Sequence, residues 1–326
     1  MLLKSADNKE SQITILKNLL NHEKVPADKK QQIEKELSNL GVGVATEKQA
    51  AYEIDFYFGP SKNVIVIHDL RLEVNGRVAQ IDHLLMNRAF EVFVLETKTF
   101  NSGLSINESG EFSTSYDGRE IGIPSPIAQN TRHVTVLKDA FKQIGRPKRL
   151  GIPIQPSFNS VVMVSPKAVI KRPKSSKIDL KSIIKSDQFF SFYNEKIDET
   201  KVSDVVGILK ICASETIKIL GEKLVALHQP GRIDYIKKFD LTDILLKKVS
   251  VLPHSSSQQS YSTQNSAVLE DKVADANICA KCGNLLVLRT AKSGINAGSQ
   301  FYGCSTFPSC RHTEKLEPTV GKEFLV

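Results

Sequence analysis

Three charged residues lie within or at the ends of two strongly apolar stretches of the sequence. Asp82 belongs to VAQIDHLLM, and Glu96 and Lys98 belong to FEVFVLETKT. Charged side chains are rarely buried without a partner. Carboxylate oxygens suit a hard cation such as Mg²⁺ or Mn²⁺, which would bind a phosphate oxygen and help to form hydroxide from water. Lys98 would then orient that water or stabilise the charge that develops at phosphorus.

The two stretches have the composition of β-strands, and the short segment NRA between them predicts an antiparallel hairpin. If Met86 pairs with Phe90, Glu96 becomes the diagonal neighbour of Asp82 on the same face. Diagonal neighbours are roughly 7–8 Å apart at Cα, close enough for two carboxylates to share one cation. Lys98, two residues beyond Glu96, projects to that face as well. A register shift of one residue would separate the carboxylates.

The same spacing has a second interpretation. Glu96 and Lys98 also fit an ion pair on a solvated strand face, which would contribute little to stability. An Asp followed at a distance by Glu-x-Lys is a loose pattern. The spacing alone therefore leaves both a metal site and a surface ion pair open.

A second group of residues suited to chemistry is the set of cysteines near the end of the sequence. Four of the five cysteines lie there, Cys279, Cys282, Cys304 and Cys310. The Cys-x-x-Cys spacing of the first two is typical of a structural Zn²⁺ site, and four thiolates would complete the tetrahedron, although the second pair is spaced more widely than usual. A segment this short cannot bury a sufficient core, so bound metal would have to stabilise it. The fifth cysteine, Cys212, fits a buried helix position.

The bulk composition narrows the class of protein. The 326 residues carry a net charge of +8, which favours anionic partners such as nucleic acid, and 40% hydrophobic with 25% charged content is typical of a soluble globular chain. The first residues do not resemble a signal peptide, and no apolar run approaches the length of a membrane span. We therefore expect a cytoplasmic protein without membrane association. The sequence leaves the oligomeric state open.

Helix and strand patterns alternate along the chain, which predicts an α/β fold. Two short helices are expected between about Asn8 and Leu40, and a turn near Gly43 should lead into a third helix with Thr46 as a possible N-cap. The pattern suggests five segments. They are an N-terminal helical segment (1–42), an α/β domain (43–190), a helical extension (191–252), a flexible linker (253–276) and a small cysteine module (277–318).

The region from about residue 43 to residue 165 resembles the nuclease-related domain family, NERD, of the PD-(D/E)xK nuclease superfamily. That family has a strand ending in His-Asp, then an "aQIDH" strand, then an "E-x-K" strand. This chain has HD at 68–69, QIDH at 80–83 and ETK at 96–98. The resemblance implies a metal-dependent phosphodiesterase with a restriction-endonuclease-like α/β fold, in which helices flank a central mixed sheet.

The resemblance also implies roles for individual residues. Asp82, Glu96 and the backbone carbonyl of Thr97 would bind Mg²⁺ or Mn²⁺, and Lys98 would be the catalytic lysine.

Two helical residues complete the family pattern. The family has a glutamate in the preceding helix, usually after a glycine, and a glutamine in the helix after the sheet. Glu47 occupies the first place, with Thr46 instead of the glycine, and Gln129 occupies the second. The resemblance implies that Glu47 helps to bind metal or to position water, and that Gln129 hydrogen-bonds the lysine, water or phosphate.

Several neighbouring polar residues fit structural roles at least as well as functional ones. His83 alternates to the face opposite the carboxylates and is expected to pack in the interior. Asp69 fits either the cap of a strand or a supporting position near the metal, and Gln80 fits either a DNA contact or a cross-strand hydrogen bond. Asp55 is expected to be a solvated charge. His133 lies one helical turn after the glutamine and is a candidate phosphate contact.

The segment from about residue 278 to residue 314 resembles the C-terminal zinc ribbons of type IA topoisomerases, which share a CxxCG opening and a GCS-x-(Y/F)-P-x-C ending. The resemblance implies Zn²⁺ binding by the four cysteines and binding of single-stranded nucleic acid. Arg289, Tyr302 and Arg311 are candidate contacts, because interleaved aromatic and basic side chains can stack on bases and pair with phosphates. The alternative is that the aromatic residues pack the small core of the ribbon.

A basic stretch, SPKAVIKRPKSSK, offers a further candidate surface. Lys171, Arg172 and Lys174 lie in a loop where they could follow a phosphate backbone. A run of charge is equally typical of a solvated surface, so both interpretations stay open.

These patterns lead to three hypotheses about function. The first is a Mg²⁺-dependent nuclease acting on single-stranded or structured DNA, in DNA processing, repair or defence. The second is a non-catalytic nucleic-acid adapter that keeps the fold, and the third is a stress or regulatory protein whose N-terminal helices bind a protein partner. The full set Asp82, Glu96, Lys98, Glu47 and Gln129 favours the first, because a degraded site would have lost one of them.

Overall fold

A computed structural model describes residues 1–100, 103–116, 118–203, 211–246, 279, 286–290, 299–304 and 310–315. The chain divides into two compact units, Met1–Lys9 with Ser38–Arg232, and Glu10–Leu37 with Ile233–Val326. The helices are α1 Glu10–Leu20, α2 Ala27–Phe58, α3 Pro126–Ile144, α4 Phe189–Ser203, α5 Ser214–Ala226, α6 Tyr235–Lys238 and α7 Thr242–Leu246, with a 3₁₀ turn at Ser186–Gln188.

The strands are numbered in chain order. They are β1 Leu2–Lys4, β2 Val64–Val74, β3 Arg77–Asn87, β4 Glu91–Lys98, β5 Leu104–Ile106, β6 Phe112–Tyr116, β7 Arg119–Ile123, β8 Lys148–Arg149, β9 Ile152–Pro153, β10 Ser157–Val164, β11 Ile170–Lys171, β12 Ile183–Lys185, β13 Leu286–Thr290, β14 Gln300–Cys304 and β15 Thr313–Lys315.

A six-stranded mixed sheet forms the centre of the first unit, in the order β1-β2-β3-β4-β10-β12. Strands β2, β3 and β4 run antiparallel to their neighbours in this meander, whereas β1 pairs parallel to β2, and β10 pairs parallel to both β4 and β12. The first six residues of β4 are all buried, as expected for a strand covered on both faces. The predicted mixed α/β fold is confirmed.

Helices cover both faces of this sheet. On one face, α3 and α5 pack against alternate side chains of β2, β3 and β4, among them Ile67, Leu84 and Val94. On the other face, α2 and α4 pack against the intervening side chains, such as Leu85 and Phe93. The apolar runs in the sequence are therefore strands in the middle of three layers, where burial of apolar surface provides the main stabilisation.

The alternation of side chains between the two faces changes at Asp69. Ile67 and Leu70 both belong to the cluster under α3 and α5, although a regular strand would place them on opposite faces. Asp69 has a φ of 52°, in the left-handed region, and this kink accounts for the change. The kink lies beside Asp82, because both aspartates fall between the same two residue pairs, His68–His83 and Leu70–Ile81.

The structure corrects the sequence interpretation of the N-terminal helices. The predicted turn near Gly43 does not exist, because α2 is continuous from Ala27 to Phe58. Thr46 is therefore not an N-cap, and its Oγ1 donates to the Val42 carbonyl at 2.9 Å inside the helix. Glycine costs about 1 kcal/mol in a helix interior. Packing of the following turns against the sheet outweighs that cost, since tertiary contacts supply most helix stability in proteins.

Strand β1 is a second difference from the sequence interpretation. Leu2–Lys4 pairs parallel to β2 at the edge of the sheet, where only helices were predicted. A three-residue strand has no recognisable period, so its partner in the sheet decides its conformation. The strands around Phe112 and Ile121 were predicted, and they are confirmed as β6 and β7 of a four-stranded sheet, β11-β5-β6-β7.

The second unit contains α1, the first turns of α2, α6 and α7, and the strands β13–β15. The rings of Tyr235 and Phe239 stack with centroids 6.2 Å apart, and Tyr235 donates a hydrogen bond to Gln12. Lys29 pairs with Asp240 at 3.3 Å.

Two further expectations concern the chain as a whole. The predicted linker, 253–276, lies outside the described residues, and the five-segment division stays a prediction. Among the helices in the described parts of the chain, none combines the length and the apolar character needed to cross a membrane.

Asn130 links α3 to two strands and provides a test of this architecture. The side chain is fully buried, and its amide donates to the carbonyls of Val94 at 2.7 Å and Val161 at 3.2 Å. We expect Asn130→Ala to lower the free energy of unfolding by about 1–3 kcal/mol, because the substitution leaves buried carbonyls without donors. Urea denaturation followed by circular dichroism measures this change.

Arg132→Ala, at an exposed position on the same helix, is the control and should change stability by less than about 0.5 kcal/mol. Equal stability of the Asn130 and Arg132 variants would contradict the role given to Asn130.

Candidate functional site

The β3–β4 hairpin sets the relative positions of the predicted metal ligands. The observed pairs are Met86 with Val92 and His83 with Leu95, so the predicted Met86–Phe90 pairing is wrong. Continuing the observed register by one residue places Asp82 directly opposite Glu96. The shift is two residues, an even number, so both carboxylates keep the shared face that the sequence predicted.

The turn lies one residue further along the chain than predicted, and this displacement causes the shift. Strand β3 extends to Asn87, whose side-chain carbonyl accepts a hydrogen bond from the Glu91 amide at 3.1 Å. Phe90 adopts a φ of 57° and donates its amide to the Asn87 carbonyl at 3.0 Å. The chain therefore reverses over Asn87–Phe90, and β4 begins only at Glu91.

Two hydrogen bonds hold the opposed carboxylates. The Thr97 amide donates to Asp82 Oδ2 at 2.7 Å, and Gln129 Nε2 donates to Glu96 Oε1 at 2.7 Å. Lys98 Nζ lies 2.8 Å from the same Glu96 oxygen. In the structure, Gln129 therefore contacts a candidate metal ligand rather than the lysine.

Helix α3 brings a histidine to this point as well as the glutamine. The helix begins with Ser125 as its N-cap and a proline in its first turn. His133, one turn after Gln129, has Nδ1 3.4 Å from Glu96 Oε2. Burial and then the nearby Lys98 lower the pKa of His133 to about 4, so its ring is neutral at neutral pH. Within the described residues, neither of these two facing atoms has a hydrogen-bond partner.

Glu47 approaches from the opposite face of the sheet, on α2. Burial raises the pKa of the Glu47 carboxyl first, and the charge of Asp69 raises it further. The pKa of Asp82 lies well above its usual value because of burial, then because of repulsion from Glu96 and Glu47. Burial also raises the pKa of Glu96, although Lys98 and Gln129 oppose this change.

Burial and mutual repulsion make ionisation of these three carboxyl groups unfavourable. A divalent cation would offset both the cost of burying their charges and the repulsion between them, so the group fits a metal site. Glu96 Oε2, which is buried without a hydrogen-bond donor among the described residues, offers a free ligand position. The carboxylates do not form a closed cage. In the described parts of the chain, only Cys279, Cys304 and Cys310 form a group of three or more ligand atoms within 4.8 Å of one another.

The neighbouring polar residues have mainly structural roles. His83 is buried as predicted, with Nδ1 2.8 Å from His68 Nδ1, and burial holds the pKa of its ring well below the usual value. Asp55, expected to be a solvated charge, has a side chain that is 37% exposed, and its Oδ1 also lies 3.1 Å from His68 Nε2. Gln80 forms the cross-strand hydrogen bond, donating to Asp69.

Sequence reasoning missed one residue of this cluster entirely. Lys9 Nζ lies 2.7 Å from Asp69 Oδ2, and the two residues are 60 positions apart. No local pattern in the sequence points to this pair, because Lys9 lies in a segment without a motif. The contact depends on the way β1 leads the chain along the edge of the sheet.

The basic stretch has a mixed character. Lys171, Arg172 and Lys174 are exposed, but Arg172 donates a hydrogen bond to the Ile183 carbonyl and so helps to fix its own loop. Contact of these three residues with nucleic acid stays a prediction.

The cysteine module folds around three of its thiols. Cys279, Cys304 and Cys310 are buried, and the sulfurs of Cys279 and Cys310 are 3.7 Å apart. Zn–S bonds of about 2.3 Å in a tetrahedron place sulfurs about 3.8 Å apart, so this spacing fits zinc. Cys282, the fourth predicted ligand, lies outside the described residues.

The predicted nucleic-acid contacts of this module differ in their surroundings. Arg289 donates to the Cys304 carbonyl at 3.1 Å, linking β13 to β14. Tyr302 packs partly against the cysteine cluster, whereas Arg311 is exposed. Arg311 is therefore the predicted contact that the fold leaves most accessible.

Comparison with known families agrees with both regions of the structure. Residues 42–165 match the family model of the nuclease-related domain, and residues 276–319 match that of the topoisomerase DNA binding C4 zinc finger. Comparisons with curated proteins and with solved structures gave no significant match. Both resemblances inferred from the sequence are confirmed. The chain thus carries a nuclease-related domain followed by a topoisomerase-type C4 zinc ribbon, the architecture of a nuclease-like nucleic-acid-binding protein.

Proposed function

We propose that this protein is a divalent-metal-dependent nuclease that hydrolyses DNA phosphodiester bonds, and that its zinc ribbon binds single-stranded nucleic acid. The observation that carries the proposal is the pairing of β3 with β4, which brings Asp82 opposite Glu96 with Lys98 beside it. A role in DNA processing, repair or defence follows from this activity. The match to the nuclease-related domain supports the assignment.

Asp82 and Glu96 would hold the metal ion, joined by the Thr97 carbonyl and by Glu47 directly or through water. The raised pKa values of the three carboxyls and the free Glu96 Oε2 support this set. When bound, Mg²⁺ or Mn²⁺ would neutralise phosphate charge and make a bound water more acidic. Gln129 fixes the orientation of Glu96 through its hydrogen bond.

Lys98 is placed to act on the substrate side of this pair. Its side chain is about one-third exposed, whereas that of Glu96 is almost fully buried. The ammonium group therefore borders both the carboxylate and the solvent from which a DNA strand would arrive. In that position Lys98 would orient the attacking water or stabilise charge on the phosphate in the transition state.

Substitution of the paired residues tests the nuclease assignment. We expect Asp82→Asn and Lys98→Met each to reduce the cleavage rate of linear, nicked or single-stranded DNA in Mg²⁺ or Mn²⁺ by at least about a hundredfold. The first removes a proposed ligand of the metal ion, and the second removes a positive charge at the reacting phosphate. Gel assays with labelled DNA measure the rate.

Glu108→Gln, which neutralises an exposed carboxylate outside the site, should leave the rate unchanged. If wild type and all three variants show the same trace activity, the protein is a non-catalytic adapter and the proposal fails.

The raised carboxyl pKa values predict an unusual pH dependence of stability. A carboxyl whose pKa is higher in the folded state favours folding when neutral, so its contribution is fully present below the unfolded pKa of about 4 and is lost as pH rises through the folded value. We expect Asp82→Asn to be more stable than the metal-free wild type, by a margin that grows from pH 4 to neutral pH. Urea denaturation in the presence of a chelator measures that margin.

Added Mg²⁺ should stabilise the wild type more at neutral pH than at acidic pH, and should have little effect on Asp82→Asn. The Glu108→Gln variant should follow the wild type at each pH. A margin that shrinks as pH rises would contradict the electrostatic description of the site.

The zinc ribbon leads to a separate prediction about the metal content of the protein. We expect about one zinc atom per chain by elemental analysis, and a loss of that zinc together with weaker binding of a single-stranded oligonucleotide in Cys304→Ser. Cys212→Ser, which changes a buried thiol of the other unit, should keep its zinc. Zinc-free protein that binds the oligonucleotide as tightly as the wild type would disprove this role of the metal.

A further inference from the structure

The N-terminal segment brings a second lysine to the carboxylate cluster. Lys9 Nζ forms an ion pair with Asp69 Oδ2 at 2.7 Å, and the two side chains are 21% and 6% exposed. Lys9 precedes residue 42, where the match to the nuclease-related domain begins. Asp69 lies inside the matched region, so the pair joins a residue of the nuclease-related domain to a lysine that precedes it.

Both oxygens of the Asp69 carboxylate accept hydrogen bonds from the protein. Its Oδ2 also accepts the Asp7 amide at 3.1 Å, and its Oδ1 accepts the side-chain amide of Gln80. Lys4 Nζ donates to the backbone carbonyls of His68 and Asp69, at 3.1 and 3.0 Å, and so supports the left-handed kink. Asp69 thus has a fixed position, and Lys9 and the Asp7 amide occupy its Oδ2.

Asp69 and Lys9 both act on Glu47. The Asp69 charge raises the pKa of the Glu47 carboxyl, whereas the Lys9 charge lowers it. Lys9 therefore offsets one negative charge on the Glu47 side of the cluster. Lys98 does the same for Glu96 on the other side.

The charges of these groups leave room for one divalent ion. Glu47, Asp69, Asp82 and Glu96 carry −4 when ionised, and Lys9 and Lys98 carry +2, which leaves −2. Buried charge is costly unless it is compensated. One Mg²⁺ or Mn²⁺ would neutralise the remainder, whereas two would leave the cluster positive.

We propose that Lys9 is a built-in cation that replaces a second metal ion beside Asp69 and Glu47, so that the site binds a single divalent ion. This inference rests on the proposed metal site and specifies its stoichiometry. Lys9 is a positioning residue, because it acts through Asp69 and Glu47. Its removal would free Asp69 Oδ2 as a ligand and raise the negative charge to −3.

Manganese titration tests the proposal without measuring cleavage. Calorimetry, with electron paramagnetic resonance to detect paired Mn²⁺ ions, should give one ion per site in the full-length, zinc-loaded wild type. Lys9→Met should bind a second Mn²⁺, or bind the first about tenfold more tightly, because a compensating charge is lost at short range. Lys9→Arg, which keeps the charge, and Lys24→Met, which removes charge from an exposed position, should behave like the wild type.

The outcomes separate this inference from the proposed function. Wild type that binds one Mn²⁺ while Lys9→Met matches Lys24→Met overturns the inference and leaves the metal site intact, and so does wild type that already binds two. Wild type that binds none overturns the metal site itself. If Lys9→Met does not fold, Asp69→Asn decides: Mn²⁺ affinity should fall about tenfold as the cluster loses a negative charge, and unchanged affinity overturns the inference.

Discussion

Repulsion between buried carboxylates is the constraint on which the arrangement of this protein depends. Glu47, Asp82 and Glu96 come from three different elements, α2, β3 and β4, and burial with mutual repulsion raises the pKa of Asp82 most strongly. Groups that repel one another stay close only if a rigid frame holds them. The central sheet supplies that frame, and the Thr97 amide fixes Asp82 within it. The raised pKa values mean that ionisation of these carboxyls opposes folding.

The three-layer architecture explains how residues on opposite sides of the sheet meet. Helix α2 carries Glu47 to one face, and α3 carries Gln129 and His133 to the other. Gln129 and His133 both contact Glu96, two residues before the end of β4, and Glu47 interacts electrostatically with Glu96 and Lys98. Asn130 ties α3 to the two central strands immediately beside Gln129. The contacts that hold α3 against the sheet therefore also fix the position of Gln129 beside Glu96.

The cysteine module differs from the α/β unit in what stabilises it. Its buried cluster in the described residues consists of Leu286 and the thiols of Cys279, Cys304 and Cys310, with Tyr302 packed against it. A module as short as residues 276–319 cannot bury a sufficient apolar core, so bound metal is needed to stabilise it. Arg289 and Tyr302 contribute to this structure, which shows how residues that suit nucleic-acid binding also serve the fold.

The sequence by itself predicted the candidate ligands in both regions. Strand identity follows from apolar composition, and the face shared by Asp82 and Glu96 follows from the two-residue period, so an error of two residues in register left it intact. The Cys-x-x-Cys spacing suggested a zinc site, and the motifs around the four cysteines carried the resemblance to a zinc ribbon. Only the tertiary structure decided that α2 is continuous, that Gln129 bonds Glu96, and that Lys9 pairs with Asp69. These features depend on contacts between residues far apart in the chain, and local periodicity carries no information about such contacts.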